Sequence, residues 1–205
     1  MVLQSLINVV FVMENMGYVG LFILMTLESL SLPIPSEVIL PFTGYLIYIG
    51  RLNLILAFID STIASLVGSL ILYLLSYYVG YSIVLRLGKY VGISERHLEA
   101  AEQWFNKYGG ISVVLAKFIP GIRALISIPA GVARMNVWLF MLYTIVGSAI
   151  WNMVLIYVGL SLGPAWKTGL ALVSRYIDYI ALASVIVIVV LVVMAKVHKL
   201  RIINY

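Results

Sequence analysis

Residues 117–131 read KFIPGIRALISIPAG. Two cations, Lys117 and Arg123, and two prolines, Pro120 and Pro129, sit in a run that is otherwise apolar enough for a bilayer. A basic side chain at bilayer depth costs roughly 2.5–3.5 kcal/mol on insertion scales. A proline inside a helix costs about 3 kcal/mol and frees a backbone carbonyl. Lipid cannot satisfy that carbonyl, so broken backbone at membrane depth must be buried in protein or line water. The stretch is therefore not a plain helix facing lipid; it is expected to line a polar cavity inside a membrane protein.

The rest of the chain fits that setting. Of 205 residues, 63% are hydrophobic and 10% charged, with a mean hydropathy of +1.12. This is the composition of a multi-pass membrane protein, not of a soluble domain. The formal charge of +5 comes without a basic solvated face, which argues against a nucleic-acid partner. Cysteine is absent, which excludes disulfides, thiolate metal sites and cysteine catalysis; no cofactor or metal site is expected. Histidine is limited to His97 and His198. The start of the chain lacks the basic region and cleavage site of a signal peptide, so it is kept in the mature protein.

Outward from the opening stretch, the chain reads as one membrane domain over 1–205. Residues 1–14 form an interfacial helix too short to span, residues 17–48 a first broken hairpin, 54–84 a spanning helix, and 86–108 a cytoplasmic amphipathic linker with Trp104 and Tyr108 as headgroup anchors. Residues 109–136 form a second broken hairpin, 137–160 and 175–195 span, and 196–205 are a basic tail. In the first hairpin Glu28 and Glu37 flank Pro33 and Pro35, with Pro41 and Gly44 following. In the second, Pro120, Gly121, Pro129 and Gly131 shape the bends. With the linker and tail cytoplasmic, that side holds seven Lys and Arg against three on the other. The fold expected is thus all-α: two oppositely oriented re-entrant hairpins and about three spanning helices, in an inverted repeat with the C-terminus cytoplasmic. Paired broken segments point to a transport site near the midplane.

Three blocks carry a family resemblance. LESLSLPIPSEVILPFTGYL is similar to an acidic-proline hairpin, with Glu28 and Glu37 at the acidic positions. FNKYGGISVVLAKFIPGIRALISIPAGVARM is similar to a motif written R-F-x-P-x-x-R followed by A-G, with Pro120, Arg123, Ala130 and Gly131 matching. GSAIWNMVLIYVGLSLG is similar to a Gly147…Trp151…Gly159 helix. Together they resemble the DedA family of membrane proteins, also called the VTT or SNARE-associated Golgi protein superfamily, over about Gly17 to Gly163. Lys117 stands where that family usually has arginine, which keeps the charge but loses the bidentate fork. Arg134 is a candidate substitute.

The resemblance implies a cell-membrane transporter, not an enzyme, that moves phospholipid or polyprenyl-phosphate headgroups as a scramblase or flippase, in some members with a proton or sodium gradient. Its partners are membrane lipids with anionic phosphate headgroups. The residues proposed to bind substrate are Glu28, Glu37, Lys117 and Arg123, the cations through charge-assisted hydrogen bonds to phosphate. The same four charges serve equally to dock the two hairpins. Burial and neighbouring cations act oppositely on a carboxylate, so proton acceptance by Glu28 or Glu37 stays open. Asp60 reads as an interfacial residue near Arg51, and Trp151 as a packing or belt residue. A small-solute or ion transporter and a structural, membrane-organising protein are the alternatives.

Overall fold

The computed structural model describes residues 10–32, 34–79, 103, 105–119 and 122–165. Pro33, Pro120 and Gly121, the greater part of the 86–108 linker, the 175–195 span and the basic tail lie outside them. Among the described residues the chain is entirely helical. After a helical segment over 10–16 come α1 (Tyr18–Ser29), α2 (Ser36–Tyr48), α3 (Leu54–Val79), α4 (Ile111–Ala116), α5 (Ile122–Leu125), α6 (Ser127–Val132) and α7 (Val137–Leu162).

The long helices α3 and α7 have 26 residues each, about 39 Å of helix, and both are apolar enough to cross a bilayer. Asn53 and Asn136 cap them by accepting from backbone N–H groups of the first turn. Their polarity is inside-out relative to a soluble bundle. The buried face of α3 carries Ala57, Ser61, Ala64, Ser65, Gly68, Ser69, Tyr73 and Ser76 at spacings of three and four. The buried face of α7 carries Phe140, Thr144, Gly147, Ser148, Asn152, Ile156 and Gly159. Ile55, Leu56, Ile59, Ile63 and Leu75 on α3, and Leu142, Ile150, Val154 and Val158 on α7, face outward. Small and polar residues at helix contacts with large aliphatics outside is the arrangement lipid favours.

The short helices are too short to span. With 12 and 13 residues, α1 and α2 extend about 18 and 20 Å. Between them the chain turns at Ser31, in the left-handed region at φ 70°, and restarts at an extended Pro35. The bend thus falls at residues 30–35. Pro41 and Gly44 lie inside α2 rather than at the bend, where they make a close helix crossing. A Cβ on Gly44 would fall on the backbone of Ile156 and Leu160, and one on Gly159 on the carbonyl of Pro41. In the second broken segment, helix stops after Ala116 and turns again at Ile126; Pro129 and Gly131 lie within α6. Gly131 lets α6 approach the backbone of α3 at Tyr73 and Tyr77.

Packing follows a simple scheme. Helix α3 is flanked by α1 and α6, helix α7 by α2 and α4, and α3 and α7 pack on each other. The loop sides of the broken segments are thereby brought against the middles of the two long helices.

Candidate functional site: a buried charge cluster at mid-helix height

Glu28 sits in the last turn of α1, one residue before its end. Its Oε1 lies 3.0 Å from Nε of Arg123, from α5, and both side chains are buried, 7% and 5% exposed. Arg123 also donates from Nη1 to Ser36 Oγ at the start of α2, 2.5 Å away. Ser29 Oγ donates to the second carboxylate oxygen of Glu28 at 3.2 Å. The guanidinium lies 6.0 Å from the ring centroid of Trp151, at the reach of a cation–π contact. Phe118 meets that indole edge-on, with centroids 6.2 Å apart.

Lys117 follows α4 and is 2% exposed. Its stem passes Gly147 of α7, where a Cβ would press on Lys117 Cβ and Cγ. Its Nζ donates to Ser69 Oγ at 2.8 Å. The two cations therefore differ: Arg123 has a carboxylate partner, whereas the hydrogen bond of Lys117 goes to a neutral hydroxyl. Both lie within electrostatic reach of Glu28, which attracts them, and they repel each other. Ser69 and Trp151 are near the middle of α3 and α7, so the cluster lies at mid-height of the long helices.

Of the four charged residues singled out from sequence, Glu28 and Arg123 are in contact, and Lys117 lies within electrostatic reach of both. Glu37 is in the first turn of α2, half-buried, close enough to repel Glu28 but without an ion pair among the described residues. The symmetrical picture of two cations docked on two carboxylates is replaced by a single ion pair. Both cations are buried among side chains. Among the described residues, a cavity of about 420 Å³ is lined by Met13–Val19, Leu46, Arg51 and Leu52, and one of about 280 Å³ by Tyr73, Leu74, Tyr77, Tyr78 and Arg134–Val137.

Arg134 has no contact with Glu28 or Arg123 among the described residues. It is exposed, takes a left-handed conformation at φ 52° after α6, and places its guanidinium 5.4 Å from the ring centroid of Tyr77. Asp60 lies half-buried in the second turn of α3; its Oδ2 has no hydrogen-bond partner, and no ion pair with Arg51 forms among the described residues. Trp151 belongs to the cluster rather than to a belt. Sequence reasoning missed Ser36, Ser69, Ser29 and the pair Asn152–Ser65, whose Nδ2 to Oγ distance is 3.5 Å. The available signal was the repeat of polar residues every fourth position in otherwise apolar helices, Ser61-Ser65-Ser69 and Thr144-Ser148-Asn152.

The sequence profile of the VTT domain matches residues 34–161. The undecaprenyl phosphate transporter A of Staphylococcus aureus is 38% identical over 180 residues, covering 84% of this chain and 89% of that protein. The protein of the same name from Bacillus subtilis is 35% identical, covering 86% of this chain and 87% of its own. A Lactococcus lactis protein named alkaline phosphatase-like is 37% identical, covering 87% and 83%. No solved structure matches the chain. With a match over more than half its length, relatives aligned almost end to end, and two apolar helices of spanning length, this chain belongs to the DedA, or VTT-domain, family of membrane proteins.

Proposed function

We propose that the protein carries a lipid bearing a phosphate headgroup, of the polyprenyl-phosphate or phospholipid class, across the cell membrane, and that Lys117 and Arg123 receive the phosphate. The observation that carries this reading is the pair of buried cations at mid-helix height, of which only Arg123 has a carboxylate partner among the described residues. Ionisable groups at that depth are costly and mark transport paths. A phosphate oxygen would supply Lys117 with the anionic partner it lacks and compete with Glu28 for Arg123. Glu28 then acts as a stand-in anion that holds Arg123 between transport events, and Glu37, at the edge of the cluster, repels Glu28 as the pair opens. The names of the Staphylococcus and Bacillus relatives, undecaprenyl phosphate transporter A, agree with a lipid-phosphate substrate.

The architecture behind this is an inverted repeat of two re-entrant hairpins. Exchanging α1 with α4, α2 with α6 and α3 with α7 turns the main packings on the long helices into one another: α1–α3 into α4–α7, and α2–α7 into α6–α3. That exchange pattern supports a pseudo-two-fold site between the hairpins. The excess of Lys and Arg in the 86–108 linker and the tail supports a cytoplasmic C-terminus.

Purified protein in sealed liposomes should move a labelled polyprenyl phosphate across the bilayer faster than protein-free liposomes, and leave the uncharged polyprenol at the protein-free rate. Equal acceleration of both would remove the phosphate-binding role. Release of inorganic phosphate from the lipid would instead favour an enzyme, in line with the alkaline phosphatase-like name of the Lactococcus relative.

A further inference from the structure

The facing surfaces of α3 and α7 carry two polar ladders. On α3 they are Ser61, Ser65 and Ser69; on α7, Thr144, Ser148 and Asn152, each one helical turn above the last, about 12 Å from end to end. All six are fully buried. The contact of Asn152 with Ser65, of Lys117 with both Gly147 and Ser69, and of Phe140 with Tyr73 shows that the ladders run antiparallel, with Lys117 at the level of Ser69 and Ser148.

These ladders are not closed by their own hydrogen bonds. Among the described residues, Ser148 Oγ, Thr144 Oγ1 and Asn152 Oδ1 have no hydrogen-bond partner, nor has Ser127 Oγ on α6, which also packs against α3. Buried polar atoms in lipid-embedded protein are expected to find a partner, and water fills that role where the walls are polar. Lys117 adds to the demand: its ammonium has three N–H donors, and Ser69 takes one. The two directions away from Lys117 differ. Towards the end of α3 lies a buried apolar cluster of Tyr73, Val113, Ala116, Ile126, Ala130 and Phe140, with Tyr73 and Phe140 stacked at 4.5 Å and the Tyr73 hydroxyl bonded to the Met135 carbonyl. Towards the start of α3 the polar side chains continue.

We propose that Ser65, Ser69, Ser148 and Asn152 line a narrow hydrated crevice that brings water to Lys117 from one face of the membrane only, the face at which α3 begins and α7 ends. The Tyr73–Phe140 cluster is the plug that closes the other side. The crevice is a solvent path and not a cation site, because the Lys117 ammonium stands at its base. It is independent of the substrate, so it survives or fails separately from lipid-phosphate transport.

The absence of cysteine from the chain makes the test direct. Single cysteines at Ser148→Cys and Ser65→Cys on the walls, Ala130→Cys in the plug and Val154→Cys on the lipid face are exposed to a small, charged, membrane-impermeant methanethiosulfonate in right-side-out and inside-out vesicles. The wall positions should react at least tenfold faster than Ala130→Cys and Val154→Cys, and from one vesicle orientation only. Wall cysteines no faster than those two controls would show a dry interface in which the ladders only hold the helices together. Equal reaction from both sides would remove the plug. The walls are probed from opposite helices, so a variant that fails to assemble leaves the other to decide.

Discussion

Replacing Glu28 by alanine strands the Arg123 guanidinium in an enclosed apolar setting. Removing one partner of a buried pair typically costs about 3–5 kcal/mol, most of it the penalty of the charge left behind. Glu28→Ala should therefore lower thermal stability in detergent by that amount, while Glu28→Leu combined with Arg123→Leu should lose clearly less than the two single changes summed. Lys117→Met behaves differently. It removes a buried cation whose hydrogen bond goes to a neutral hydroxyl, and the thioether is close to the lysine stem in volume, so thermal stability should hold or rise slightly. Lys117→Arg, by contrast, must fit a bulkier head into the buried space beside Ser69, and should cost about 1–3 kcal/mol of stability despite matching the residue usual in the family. At this scale the sequence was informative about charges and silent about their partners. Lys117, Arg123 and Glu28 stand out because lipid makes each of them expensive. Ser36 and Ser69 do not, since a serine in a membrane helix costs little and occurs for many reasons. Glu28 and Glu37 read alike along the chain; what separates them is that one ends α1 facing α5 and the other opens α2 at the edge of the cluster.

The helices explain why the cluster holds together. Crossing of α2 and α7 depends on two glycines whose hydrogens meet the opposite backbone. A methyl at either position forces the helices apart, so Gly44→Ala and Gly159→Ala should each destabilise by about 1–3 kcal/mol, while Val158→Ala on the outward face should stay within about 0.5 kcal/mol. Thermal unfolding monitored by circular dichroism decides between these outcomes. The long helices were legible from hydropathy, and the interruption of the shorter ones from proline. Placement of the interruption was less so. Pro41 is the sixth residue of α2, so it leaves the Glu37 carbonyl without its helix hydrogen bond, and its own carbonyl is where Gly159 makes contact. The buried faces of α3 and α7 carry their information in small and polar residues, so a search for apolar stripes looks at the wrong side of each helix.

For the whole molecule, the site is held by five helices and the connection after α4, none of which could form it alone. Two broken segments bring their charged ends against the middles of α3 and α7, and the family match, over residues 34–161, takes in all of these elements but α1. A rigid ion pair at that height would be a poor structural rivet, because docking two apolar hairpins needs no charge; a site that must exchange one anion for another does need it. The role of Lys117 is therefore read from the transbilayer rate of a labelled polyprenyl phosphate in proteoliposomes containing either the wild type or Lys117→Met at matched protein content. We predict a wild-type rate well above that of empty liposomes and at least a tenfold loss in the variant, with its thermal stability unchanged. A variant that folds normally and moves the lipid as fast as the wild type would contradict the assignment of Lys117 to the phosphate.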